Sequence, residues 1–337
     1  MAPSAQAVAD DLAQASATYE KRGIALFSPR FGSVFRHLGP DTLDLLHRVT
    51  TNSITDIPDG SARRTILTNE KGRIVDVFWV LRRSDEELLL ATDSTNPSLM
   101  WDWIDRFTII EDAELIDSSD FLTRWYVVGP NASYVLSASF PELDFADCGV
   151  GGLRGMDLVE GGIVLFLRTD AAGPESWLVI AASPAISEIN ARFEKVEIEP
   201  APNKLFDQIR ISNKVPIAGF DLTEDVNPLE AGLLDLIDFE KGCYIGQEVI
   251  ARLDTYDKVQ RSLVGFSQID HPEAVQSVQI GDQVLPNDGG RRIGWITSVA
   301  RKARTNEVIG LAYIRKSHMK SGSIMTTHQG ARLQISP

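Results

Sequence analysis

The sequence predicts an α+β protein that ends in a small closed β-barrel. Two observations carry this expectation. Up to about Val259, β-branched and aromatic runs mix with amphipathic segments, without the regular strand–helix–strand rhythm of a doubly wound sheet. From Gln260 onward only short strand-like runs remain, separated by turn residues, which is the texture of a barrel or sandwich. The chain therefore divides into a leader or surface helix over 1–22, an α+β region over 23–259 and a barrel over 260–337. A length of 337 residues fits two or three domains.

Each element has its own local reason. Residues 4–22 are Ala-rich and weakly amphipathic. Asp41 stands where a helix cap is wanted, ahead of Leu43, Leu45, Leu46 and Val49 at helical spacing. Arg64–Asn69 and Arg73–Leu81 read as two strands around a turn at Gly72. Glu87–Ala91 reads as another strand. Pro97–Phe107 reads as a helix with Leu99, Trp103 and Ile104 on one face. Strands follow at Trp125–Val128, Gly161–Leu167 and Ser176–Ala181, with helical segments at Asn131–Ser139 and Asp207–Ile211. In the last region Arg261–Phe266, Gln283–Leu285, Arg292–Ser298, Val308–Ile314 and Gly322–Met325 are the short strands.

The net charge of −14 argues against a nucleic-acid coat and against attachment to an anionic membrane. The charge is uneven: Ala251–Pro337 carries 12 basic and 7 acidic residues, leaving the acid excess to the rest. The basic cluster is Arg291, Arg292, Arg301, Lys302, Arg304, Arg315 and Lys316. Two cysteines, Cys148 and Cys243, give no disulfide framework and fit a reducing compartment. The N-terminus shows neither a secretory signal nor an arginine-rich transit peptide, and no apolar run is long enough to span a bilayer, so a cytoplasmic protein is expected.

Several motifs drop out. Gly149-Val-Gly-Gly-Leu-Arg-Gly155 fails as a dinucleotide loop because Arg154 occupies the third glycine position. There is no phosphate-binding P-loop, no H-E-x-x-H and no nucleophile elbow. His37, His47, His271, His318 and His328 lack metal-ligand spacing, and no metal site is expected.

The stretch Lys241-Gly-Cys-Tyr-Ile-Gly-Gln-Glu248 carries the chemistry. Gly242 and Gly246 bracket Cys243 in an open turn, and Glu248 begins an amphipathic helix through Val249, Ile250 and Leu253. A thiol beside a helix N-terminus and Lys241 is expected to have a lowered pKa, and hence to be nucleophilic or metal-binding. The structural alternative is an inert cysteine buried in a turn.

This string resembles the K-G-C-Y-x-G-Q-E signature of the YgfZ-like folate-binding family, relatives of the glycine-cleavage T-protein. Arg210-Ile-Ser-Asn-Lys-Val-Pro216 resembles the family's R-I-x-x-G-x-P segment, with Lys214 in place of the usual glycine. Asn227-Pro-Leu-Glu-Ala-Gly-Leu233, Leu38–Leu46 and Leu67–Arg73 extend the likeness over most of the chain. The resemblance implies a T-protein-like fold of three subdomains in a ring, with tetrahydrofolate or a one-carbon derivative in the central channel. It implies that Glu230 contacts the pterin, as a carboxylate accepting two hydrogen bonds from an aminopyrimidine edge. Ligand contacts are likewise implied for Arg73, Lys241, Tyr244, Gln247 and Glu248. Asp76 stands where the T-protein shows two adjacent aspartates, the second replaced here by Val77, and is the candidate acid–base group.

For function the resemblance implies a folate-binding accessory factor rather than a classical enzyme. Such a factor supports assembly or repair of [4Fe–4S] enzymes, including tRNA-modifying ones. Iron–sulfur client enzymes or assembly proteins would be its partners, and Cys243 its working thiol. One thiol cannot hold a cluster alone. The alternatives are a folate-dependent aminomethyl (one-carbon) transferase using Asp76, and a non-catalytic folate-gated scaffold in which Cys243 only packs.

Overall fold

The computed structural model describes residues 5–158, 162–270 and 278–336. Gly161 and His271 fall outside the described residues. The elements run α1 (Ala5–Arg22), β1 (Ala25–Phe27), β2 (Ser33–Leu38), α2 (Thr42–Val49), β3 (Ala62–Thr68), β4 (Ile74–Arg82), β5 (Glu87–Thr92), α3 (Ser98–Phe107), β6 (Glu114–Asp117), β7 (Leu122–Val128), α4 (Ala132–Ser139), β8 (Leu153–Asp157), β9 (Ile163–Thr169), β10 (Ser176–Ala182), α5 (Ile186–Lys195), α6 (Asn203–Ser212) and α7 (Gln247–Thr255). The last stretch holds β11 (Arg261–Gln268), β12 (Gln283–Pro286), β13 (Gly294–Arg301), β14 (Val308–Arg315), β15 (Ile324–Thr327) and β16 (Arg332–Ser336).

These elements build two antiparallel sheets, ordered β3-β4-β5-β2-β6 and β1-β7-β10-β9-β8, and a closed barrel β11-β14-β13-β12-β15-β16. The two sheets face one another over a shared core that includes Val34, Trp79, Leu81, Leu89, Tyr126, Leu165 and Leu178. The outer face of the first sheet is covered by α2 and α3 through Leu45, Leu46, Val49, Met100 and Ile104. The outer face of the second is covered by α4 and α5 through Leu136, Ile189 and Phe193. The result is helix, sheet, sheet, helix. A strand inside such a stack is apolar on both sides, which is why β4 reads Ile-Val-Asp-Val-Phe-Trp-Val-Leu-Arg with eight buried residues.

The barrel has its own interior, lined by Val264, Phe266, Ile296, Ala312 and Leu333. It docks on the first sheet through a further apolar cluster. Ile66, Ile74 and Val77 from β3 and β4 meet Leu222, Val226, Ala231 and Tyr313 there. A buried ion pair ties α6 to the barrel. Arg210 donates to Asp221 at 3.1 Å and to the Ser298 hydroxyl at 3.0 Å, while Ser298 donates to Asp221 at 2.7 Å.

Local expectations are corrected at two places. Asp41 precedes α2 but does not cap it with its side chain; its carboxylate instead accepts the Asp112 amide at 2.8 Å, tying the helix start to the β6 entry. In α3 the buried face is Met100 and Ile104, and Leu99 is exposed, because that face must meet the first sheet one residue further round.

Candidate functional site

Glu230 sits in the long loop between α6 and α7, beside the junction of the first sheet and the barrel. Its amide donates to Asn227 Oδ1 at 2.9 Å, and its Oε2 accepts the Asn227 amide at 3.1 Å. This reciprocal pair orients the side chain as a capping box does. The carboxylate is nearly buried and clamped by two arginines from opposite sides of the junction. Arg73, at the turn before β4, donates Nη1 to Oε2 at 3.1 Å; Arg261, at the start of β11, donates Nε to Oε1 at 2.8 Å. Both arginines also donate to the Asp225 carbonyl, at 3.0 and 2.6 Å. The Arg261 guanidinium lies 4.6 Å from the centre of the Trp295 ring, which stacks on Tyr313 at 5.1 Å. Arg292 lies over the same indole at 5.2 Å. The acceptors expected to be open for a ligand are thus largely engaged by Arg73 and Arg261 in this conformation. Of the four side chains in this cluster, Glu230 and Arg73 were expected from the sequence, and Arg261 and Trp295 were not. Their available signal was only a charged residue and an indole in strands of a basic barrel.

Asp76 stands apart from that junction. It pairs across the strands with Leu67, which packs against the α2–α3 side of the sheet, whereas its neighbour Val77 pairs with Ile66 and packs toward the barrel. Strand alternation therefore sends Asp76 away from Glu230 and presents Val77 instead. Asp76 is fully buried. It accepts from the Val77 amide at 2.7 Å and from the Thr92 hydroxyl at 2.9 and 3.0 Å. Burial pushes its carboxyl up to about 7, against the pull of those hydrogen bonds, with Asp93 adding a smaller push. As an acid–base group for a ligand held at Glu230, Asp76 is on the wrong face.

The signature segment is pinned to the first sheet. Gly246 has φ +84°, and a Cβ there would come within 2.5 Å of the Asn69 carbonyl and 3.0 Å of Gly72. Only glycine lets this backbone lie on the β3–β4 turn. The Thr68 hydroxyl donates to the Ile245 carbonyl at 2.6 Å. Tyr244 is buried with Leu229, Ile237 and Ile250, which places it against the residue before Glu230; burial pushes its phenol up to about 12.

Lys241 has a different task from the one expected. Its ammonium donates to the carbonyls of His47, Thr50 and Asn52 at 2.5, 2.8 and 2.7 Å, closing the C-terminal end of α2. All three donors are used there, so Lys241 is committed neither to a ligand nor to the neighbouring thiol. Burial lowers its pKa to about 8. Cys243 is exposed, which removes the buried-turn alternative. Gln247 and Glu248 form the first turn of α7, half-buried and exposed respectively.

A second polar centre escaped the sequence reading. Asp93, just past β5, accepts from the Tyr126 hydroxyl at 2.6 Å and from Arg124 at 3.2 Å. It faces an aromatic slot formed with Phe27, Phe31, Phe206 and Phe220, whose volume of about 40 Å³ is too small for a folate ring in this conformation. Among the described residues, no group of three His, Cys, Asp or Glu side chains comes together as a metal site. No helix among them is long and apolar enough to cross a membrane.

Comparison with known proteins adds the following. Residues 8–241 match the GCVT N-terminal domain, and residues 261–336 match the Glycine cleavage T-protein C-terminal barrel domain. The chain is 26% identical to an aminomethyltransferase of Halalkalibacterium halodurans, covering 88% of this chain and 80% of that protein. It is 28% identical to an aminomethyltransferase of Bacteroides fragilis, covering 89% and 82%. Among solved structures, the glycine cleavage system aminomethyltransferase T of Bartonella henselae superposes with a TM-score of 0.77 at 18% identity, over 94% of this chain and 85% of that one, a likeness of fold.

Proposed function

Since the chain belongs to the glycine cleavage T-protein family, whose one-carbon carrier is tetrahydrofolate, we propose that it binds tetrahydrofolate or a one-carbon derivative where the Glu230 loop meets the barrel. The observation that supports this most is the Glu230 cluster. A nearly buried carboxylate, two guanidinium groups and an indole converge where the first sheet and the barrel join. Such a set suits a flat heteroaromatic ligand with N–H donors and carboxylates. Glu230 would accept from the ring edge once Arg73 and Arg261 turn from it toward the ligand's negative charge, and the same movement of Arg261 would open a face of Trp295 for stacking. The bound carrier would supply the nitrogen that accepts a one-carbon unit. Aminomethyl transfer is the activity in the names of the relatives, and it is the first reading of what this chain does with the carrier.

Titration calorimetry with 5-formyltetrahydrofolate tests the binding step. Glu230→Gln should weaken binding by about ten-fold or more. Unchanged affinity would move the site elsewhere. Incubation with an aminomethyl donor and tetrahydrofolate tests the transfer step by release of ammonia.

A second reading is favoured by two specific observations. The position facing the junction on β4 is the apolar Val77, which moves no proton. Meanwhile the signature presents an exposed thiol, Cys243, three residues before the Gly246 backbone that lies on the β3–β4 turn. In this reading the protein is a folate-binding accessory factor for assembly or repair of [4Fe–4S] enzymes, including tRNA-modifying ones. Its partners are iron–sulfur client enzymes or assembly proteins. Cys243→Ser, at matched protein level in cells, should then reduce a [4Fe–4S]-dependent tRNA modification to the level of the gene deletion. Wild-type modification together with ammonia release in vitro would leave the transferase standing alone.

A further inference from the structure

At the end of the two-sheet sandwich remote from the barrel contact, the inter-sheet core opens into a cleft of about 380 Å³. Its two walls differ. On β2, Val34 lies in the inter-sheet core, so alternation sends Arg36 to the same side. Leu89 on β5 does the same for Glu87, and Leu81 on β4 for Arg83 just past the strand end. Three charged side chains thus stand on the inter-sheet side at the open end of the sandwich, Arg36 and Arg83 exposed and Glu87 half-buried. The opposite wall, from the second sheet, is apolar: Leu122, Ile163, Leu165 and Ile180. Phe121 stands at the mouth, 70% exposed.

Charges pointing inward commonly protect the edge of a sheet. That account fails here, because β4, β5 and β2 are the three middle strands. The charges also do not cancel. Arg36 reaches Glu87 Oε1 at 3.1 Å and Arg83 reaches Oε2 at 3.7 Å, so among the described residues of the lining two guanidinium groups share one carboxylate and leave a net +1.

We propose that this cleft binds an amphiphilic monocarboxylate, an aliphatic acid whose head group is held by Arg36 and Arg83 and whose chain lies along Leu122, Ile163, Leu165 and Ile180. A planar carboxylate matches the guanidinium fork, and a single negative charge leaves the site neutral, which a dianionic phosphate does not. The volume is that of a small-molecule site.

The test is calorimetric titration of the full chain with decanoate at low salt. A saturable one-to-one isotherm is expected. Arg36→Ala/Arg83→Ala should weaken it by about ten-fold or more through loss of the charge-assisted contacts. Ile163→Trp, which fills the apolar wall and keeps both arginines, should abolish it. Decyltrimethylammonium, with the same chain length and the opposite charge, should not compete. Failure of decanoate to saturate, wild-type affinity in both variants, or equal binding of the cation would each overturn the assignment.

Discussion

Asp76→Asn is the substitution that most directly interrogates the buried acid. The folded state raises the Asp76 carboxyl from 3.8 to about 7, chiefly by desolvation. Its folded pKa therefore lies above its unfolded one, so the folded protein binds the extra proton between those values. Stability from this group is complete below pH 3.8 and is lost as pH rises through 7. The full window corresponds to about 4 kcal/mol, of which roughly 2.5 kcal/mol falls between pH 5 and pH 8. Asparagine has the shape of the protonated acid. Its Oδ1 can still accept from Val77 and Thr92, and its amide can donate to the Thr92 hydroxyl, 3.0 Å away from Oδ2 today. The variant should match wild type below about pH 4, exceed it progressively as pH rises toward 7, and keep a constant advantage above that. Urea unfolding at pH 5 and pH 8, read by tryptophan fluorescence, measures the difference. A constant offset between the two proteins at both pH values would show that Asp76 titrates normally and would refute the burial argument.

Other perturbations follow from the same geometry. His37 is fully buried with neither ring nitrogen hydrogen-bonded among the described residues, and burial lowers its pKa from 6.5 to about 4. Its folded pKa lies below its unfolded one, so stability falls by about 3 kcal/mol as pH drops across that window, and His37→Leu should flatten that limb of the unfolding curve. Lys241→Met removes three hydrogen bonds to the end of α2 and should cost roughly 3 kcal/mol or more, seen as a lower urea midpoint and faster amide exchange over residues 238–255. Gly246→Ala forces a Cβ onto the Asn69 carbonyl at a positive φ and should cost about 2 kcal/mol or more, whereas Ala at the open, exposed Gly242 should be nearly neutral in the same assay.

Much of the architecture was legible because it is local. The β3–β4 pair around Gly72 declares itself by β-branched runs, and α2 by Leu45, Leu46 and Val49 at helical spacing. The last barrel strand carried its signal too: in Arg332–Ser336 only Leu333 and Ile335 are buried, a clean alternation that went unread. β8, Leu-Arg-Gly-Met-Asp, offers no such alternation and could be recognised only through its pairing with β9. The site was legible in part. Glu230 was placed by motif, but its clamp is assembled from residues 157 and 31 positions away, and no local pattern encodes that. The faces of Asp76 and Val77 were equally hidden. Period two says they oppose, but both sides of β4 are buried, so only the packing partners decide which one meets the barrel. The carbonyls that hold Lys241 were hidden for a related reason: they lie nearly two hundred residues earlier in the chain.

The seat of Gly246 on the β3–β4 turn also has a temporal meaning. Thr68 and Ile245, which join across that seat, are 177 residues apart. At roughly 5–20 residues per second, the ribosome needs about 9–35 s to deliver the second partner after the first. Throughout that interval the nascent hairpin has its own Gly72 amide on the Asn69 carbonyl but lacks both the Thr68–Ile245 hydrogen bond and the Gly246 backbone against its turn. The turn that carries the thiol segment is therefore made well before the segment that will lie on it.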